Sequence, residues 1–126
     1  HDVQIHEQCK SRSRAQCYSS LPHLADLMAK ADLCIGAGGS TTWERLCLGL
    51  PTIVITTGAN QVPSIEALRQ DGYIEYLGPD STVSNKIVSE KILKLVNSPE
   101  VLIRQSVAGQ NLVDGRGTQR VIGEMI

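Results

Sequence analysis

The stretch Ala31-Asp-Leu-Cys-Ile-Gly-Ala-Gly-Gly-Ser-Thr-Thr-Trp-Glu44 decides how this chain is read. A short apolar run ends in three glycines within four residues, followed by hydroxyl side chains and then the start of a helix. That order places bare backbone N–H groups and a helix N-terminus at the carboxyl end of a strand, a place that favours an anion such as phosphate. On spacing alone two readings stay open. In the first, backbone N–H groups cradle a phosphate together with the hydroxyls of Ser40 and Thr41, and Glu44, one turn into the helix, accepts two ribose hydroxyls. In the second, no ligand is needed. The glycines supply positive φ for a tight turn, Thr41 caps the helix, and Glu44 three residues on completes a capping box. Trp43 reads as a packing residue in preference to a stacking one.

The loop is not a standard nucleotide fingerprint. The sixth position of a G-x-G-x-x-G pattern is Thr41, and the Gly-Lys-Ser/Thr ending of a P-loop is missing. A metal-dependent NTPase is therefore poorly supported.

Outward from this loop, strands and helices alternate. Residues 3–12 fit a helix or, at Val3-Gln-Ile5, a strand end, and Ala15–Tyr18 is a short strand candidate. Pro22 is expected to open a helix to Lys30. Asp32–Ile35 reads as a buried strand, and Ser40–Gly49 as a helix closed by glycine ahead of Pro51. Thr52-Ile-Val-Ile-Thr56 is β-branched throughout and apolar on both faces, which fits the middle of a parallel sheet covered on both sides. Thr57–Asn60 leads into a helix over 61–70, and Tyr73–Leu77 is a further strand. Helices follow over 84–97, from Pro99, and after Thr118, with a turn at Asp114–Gly117. The alternation predicts an α/β fold, a Rossmann-like parallel sheet flanked by helices with right-handed crossovers. Ligands in such sheets sit beyond the carboxyl ends of the strands. The loops Gly36–Thr42 and Thr57–Gln61 are accordingly expected to open onto one edge.

Composition narrows the function classes. The 126 residues suit one domain, and the chain, which does not begin with Met, is expected to be an excised part of something longer. A net charge of −1 and an aromatic content of 3 %, without Phe, argue against nucleic acid as a partner. No apolar run approaches the roughly 20 residues that cross a bilayer, and the N-terminus has no signal-peptide pattern. Cys9, Cys17, Cys34 and Cys47 show no zinc-type spacing and read as free thiols, which points to the reducing cytoplasm.

The blocks Leu24-Ala-Asp-Leu-Met28, Gly36-Ala-Gly-Gly-Ser-Thr-Thr-Trp-Glu-Arg45, Leu48-Gly-Leu-Pro-Thr52 and Ala59-Asn-Gln61, with the ending Val113-Asp-Gly-Arg-Gly-Thr-Gln-Arg-Val121, carry a family likeness. Over roughly residues 20–121 the chain resembles the C-terminal half of the UDP-sugar hydrolases of pseudaminic acid biosynthesis and the related spore-coat polysaccharide proteins. More distantly it is similar to the peptidoglycan N-acetylglucosaminyltransferase, of GT-B architecture. The resemblance implies that residues 1–126 form one nucleotide-sugar-binding domain, the C-terminal half of a two-domain protein whose catalytic N-terminal half is absent. It implies that Gly38, Gly39, Ser40 and Thr41 hold the UDP diphosphate, Glu44 the ribose, main-chain groups at Leu21 the uracil, and that Asn60 and Gln61 face the sugar or the distal phosphate. Read without the resemblance, Asn60-Gln61 is a turn and a helix cap.

No metal or cofactor is implied, and no catalytic residue falls in this chain. His1, His6 and His23 do not match the family's catalytic histidine; His6 reads as a surface residue. The family's C-terminal domain also begins with a strand and a glycine-containing loop, and neither is recognisable before residue 12. The expected ligand is the UDP-sugar of an acetamido-deoxy hexose, and the missing N-terminal domain or a partner subunit completes the site. The isolated chain is expected to be inactive. Two other readings stand beside the hydrolase: the donor-binding half of a GT-B glycosyltransferase, and a non-catalytic subunit that docks on a partner.

Overall fold

A computed structural model describes residues 2–126. The elements in chain order are α1 (Asp2–Lys10), α2 (Ala25–Lys30), β1 (Cys34–Gly36), α3 (Thr41–Cys47), β2 (Thr52–Thr56), a 3-10 turn (Ala59–Gln61) and α4 (Val62–Gln70). They continue with β3 (Glu75–Pro79), a 3-10 turn (Asp80–Thr82), α5 (Asn85–Val96), α6 (Pro99–Leu112) and α7 (Gly117–Met125). The three strands form one parallel sheet in the order β1-β2-β3. Cys34 pairs with Thr52 and Gly36 with Val54. Across the other edge Ile53 pairs with Glu75, and the register slips between Val54 and Ile55.

The β-branched run at Thr52–Thr56 forms the central strand with the limits its sequence suggests. Ile53 and Val54 point to opposite faces of the sheet and both are 0 % exposed, so both faces are covered. On the Val54 face, Leu46 of α3 and Ile65 and Leu68 of α4 form the core with Ile74. On the Ile53 face, Glu75 receives Lys91 Nζ of α5 and Gln105 Nε2 of α6, each at 3.2 Å. The sheet is thus the expected Rossmann-like α/β arrangement. Gly49, after α3, has a φ of 68°, a conformation a side chain disfavours, and Pro51 then directs the chain into β2.

Several expectations give way. Ala15–Tyr18 is irregular, not a strand; the Tyr18 hydroxyl bonds within the segment to Gln16 Oε1 at 2.6 Å, and among the described residues no neighbouring strand offers a ladder. Residues 3–12 resolve toward helix, as α1. The helix expected from Pro22 starts at Ala25, where the first turn closes with Met28 N–H on Leu24 O at 2.9 Å. The last helix starts at Gly117, one residue before Thr118. His6 is half-buried, with Nε2 3.9 Å from Cys17 Sγ, and not a plain surface residue. Cys9, Cys34 and Cys47 are free thiols. His1 lies outside the described residues. No described helix is long and apolar enough to cross a membrane.

Candidate functional site

Both loops singled out in the sequence leave the carboxyl ends of adjacent parallel strands: Gly36 ends β1 and Thr56 ends β2. They meet. A Cβ placed on Gly38 would stand 2.7 Å from Ile65 Cγ1 and 3.3 Å from Gln61 Cβ, and one on Gly39 would stand 3.9 Å from Gln61 Nε2. Gln61 is fixed there because its Oε1 accepts the Thr57 N–H at 3.0 Å. Its side chain therefore ties the second loop together while presenting its amide nitrogen near Gly39.

The ligand-free account of the glycine loop is corrected on two points. None of Gly36, Gly38 and Gly39 has a positive φ, so left-handed backbone is not what these positions require. Gly36 is bare because a Cβ would collide with the Arg45 guanidinium, and Gly38 because Ile65 stands against it. Gly39 has neither reason. The capping box also fails. Ser40 holds the cap position with a helical backbone (φ −60°, ψ −28°) and makes no side-chain cap bond. Thr41 is the first helical residue, and its hydroxyl receives Arg45 Nη2 at 3.3 Å.

Among the described residues no protein acceptor takes the N–H groups of Gly38, Gly39, Ser40 or Thr41; the first paired amides are Thr42 to Gly39 O at 3.0 Å and Trp43 to Ser40 O at 3.1 Å. Ser40 is exposed, and Gly38, Gly39 and Thr41 are half-buried. Four unpaired donors in sequence at a sheet's carboxyl edge are the main-chain arrangement that an anion can satisfy.

Glu44 is exposed and free of any cap bond. With Trp43 it lines an apolar groove of about 420 Å³ that runs along α3 to Ala25 and Met28 of α2 and to Val113. Trp43 is 46 % exposed on that rim, so it is less of a packing residue than its sequence suggests. Leu21, 40 % exposed, lies in the irregular segment ahead of α2, next to Ser20 with a φ of 57°. A second hollow of about 300 Å³ lies between Thr56, Gly58, Val62 and Asp80, at the ends of β2 and β3. Asn60 is exposed in the turn above it, and Gln61 takes the cap position of α4 without a side-chain cap bond. The glycine loop, Gln61 and Glu44 thus share one edge, whereas a cavity of about 530 Å³ beside Asp32, Pro51 and Pro99 belongs to the opposite, amino-terminal edge. Among the described residues no three His, Cys, Asp or Glu side chains converge as a metal site.

One residue of this region was not singled out by the sequence. Arg45 lies under the loop, 2 % exposed, and donates to Ala37 O at 2.6 Å, Thr41 O at 3.2 Å and Thr42 Oγ1 at 3.2 Å. The signal was its i, i+4 spacing from Thr41, which puts both on one helix face.

Over 121 residues the chain is 24 % identical to the spore coat polysaccharide biosynthesis protein SpsG of Bacillus subtilis (strain 168), an overlap of 96 % of this chain and 36 % of that protein. The chain therefore spans about a third of that relative's length. Residues 1–115 match the glycosyltransferase family 28 C-terminal domain, a Rossmann-like half of the GT-B architecture. On the extent of that match, the chain belongs to the glycosyltransferase family 28 C-terminal domain family.

Proposed function

We propose that this chain is the UDP-binding half of a nucleotide-sugar enzyme, and that its ligand is a UDP-acetamido-deoxy sugar used in surface glycan or nonulosonic acid biosynthesis. The observation that carries the reading is the run of four unpaired N–H groups from Gly38 to Thr41. Placed on a diphosphate, each would make a charge-assisted bond of about 1.5–3 kcal/mol before ordering costs. Glu44 accepts the ribose hydroxyls, the main chain at Leu21 meets the uracil, and Asn60 and Gln61 face the distal phosphate or the sugar. Family membership and the polysaccharide-biosynthesis relative support the assignment at the level of nucleotide-sugar chemistry.

In the complete enzyme these donors would stabilise negative charge developing on the UDP leaving group as the bond to the anomeric carbon breaks. Main-chain dipoles fixed by the fold do this without reorganising. The attacking group and its base belong to the N-terminal half, so this half alone binds and does not turn over. In the first reading water attacks and the enzyme is a hydrolase of the pseudaminic-acid type. The glycosyltransferase family match favours a second, in which an alcohol acceptor attacks at the same UDP site.

Calorimetry with UDP, UMP and uridine tests the binding role. UDP is expected to bind at about millimolar, equivalent to roughly −4 kcal/mol, with affinity falling as phosphates are removed. Equal affinity for UDP and uridine would contradict it. Incubating the full-length protein with UDP-sugar, with and without acceptor, separates hydrolysis from transfer.

A further inference from the structure

Arg45 carries a charge that no carboxylate balances among the described residues. Its side chain is 2 % exposed, yet its partners are neutral: the carbonyls of Ala37 and Thr41, the hydroxyls of Thr41 and Thr42, and Cys34 Sγ at 3.9 Å. Among the described residues no carboxylate pairs with it. A guanidinium withdrawn from water without an anion is costly, so its retention here calls for a reason.

The partners lie at both ends of one loop. Cys34 opens β1 and Ala37 follows its last residue, and Thr41 and Thr42 belong to the first turn of α3. Gly36 lacks the Cβ that would displace the guanidinium. In a planar trans peptide the C=O and the following N–H point in opposite directions. With the Ala37 oxygen held on Arg45 Nη2 inside the fold, the Gly38 N–H is turned away from the guanidinium and has no protein acceptor. The Thr41 hydroxyl, accepting from the same nitrogen, keeps its single proton for another acceptor, and an accepted charge-assisted bond makes it a stronger donor.

We propose that Arg45 is the positioning residue of the diphosphate site: it sets the Ala37–Gly38 peptide and the Thr41 hydroxyl toward the ligand, and the bound anion supplies the counter-charge that the fold withholds. This rests on the reading of Gly38–Thr41 as that site. Arg45 never touches the ligand and acts through the loop.

NMR titration of the wild-type chain, R45Q and R45K with UDP tests it. In wild type, the Gly38 amide and the Arg45 Nε signal shift together and saturate with one Kd. R45Q raises the Kd at least about tenfold, and R45K, which restores the charge, recovers it to within about threefold of wild type. A Kd for R45Q within twofold of wild type overturns the proposal, and so does R45K binding as weakly as R45Q. If R45Q does not fold, the wild-type signal decides: an Arg45 Nε resonance that stays fixed while Gly38 saturates overturns the proposal. Absence of any saturable shift across Gly38–Thr41 in wild type overturns the underlying site instead.

Discussion

Gln61 Oε1 accepts the Thr57 N–H at 3.0 Å, and this bond holds the Gln61 amide nitrogen beside Gly39. One side chain thus ties the second loop together through its acceptor and leaves its amide donors beside the glycine loop. Gln61→Glu keeps the acceptor and replaces the donors with negative charge. Its stability should change by less than about 0.5 kcal/mol, while UDP affinity falls about tenfold, or about 1.4 kcal/mol. Thermal melts and a UDP titration read the two effects separately; equal affinity in Gln61→Glu would remove Gln61 from the site.

Gly38 and Gly39 should respond differently to alanine. At Gly38 the new Cβ meets Ile65 Cγ1 at 2.7 Å, and overpacking should cost about 1–3 kcal/mol. At Gly39 the nearest atom is Gln61 Nε2 at 3.9 Å and φ is not positive, so Gly39→Ala should fold with wild-type stability or slightly better. UDP binding should nonetheless drop at least tenfold, because the methyl group stands where the phosphate approaches the backbone. Chemical denaturation of Gly39→Ala paired with calorimetry checks this. A variant that is both stable and fully binding would leave Gly39 without a role.

Glu44→Ala should be nearly silent for folding, within about 0.5 kcal/mol, since the carboxylate is exposed and makes no cap bond. Its effect belongs to the ligand. Wild type should prefer UDP over 2′-deoxy-UDP, and Glu44→Ala should lose that preference. Competition titrations with the two nucleotides measure it; an unchanged preference would place the ribose elsewhere.

The α6–α7 junction should be acid-sensitive. Asp114 accepts Arg120 Nη1 at 2.8 Å and Nη2 at 3.0 Å, and the Arg116 N–H at 3.0 Å. The Arg120 side-chain bonds first, and the Arg116 amide second, hold its carboxyl well below the usual carboxylate range. A depressed folded pKa means the contribution is complete above about pH 4, the unfolded value, begins to fade below it, and is lost as pH falls through the much lower folded value. The pair is exposed, so the effect is local and weakened by salt. Amide signals of residues 117–125 should broaden or move to coil positions in this acid range, and Asp114→Asn should show that behaviour at neutral pH. Identical spectra for the two chains at pH 7 would contradict it.

The sequence made some of this legible for definite physical reasons. Thr52–Thr56 has no competing local structure: five β-branched residues in a row resist helix, and burial on both faces follows from their apolar character. The juxtaposition of the two loops follows from parallel topology alone. Ala15–Tyr18 shows the opposite case, since a short apolar pattern becomes a strand only where a neighbour offers its ladder. At the site, the spacing Thr41–Glu44 suggested a capping box, but Arg45 takes the Thr41 hydroxyl and shifts the cap to Ser40. An arginine on a helix reads as a solvated face by default. Its burial depends on the absent Cβ of Gly36, nine residues earlier, and no local pattern encodes that pairing.

The most direct test is the amide spectrum of the unmodified chain during addition of UDP. Resonances of Gly38, Gly39, Ser40 and Thr41 should move downfield and saturate together, as expected for main-chain donors that gain a charged acceptor. Saturable shifts confined to other residues, or none at all, would mean that these open amides do not serve a diphosphate.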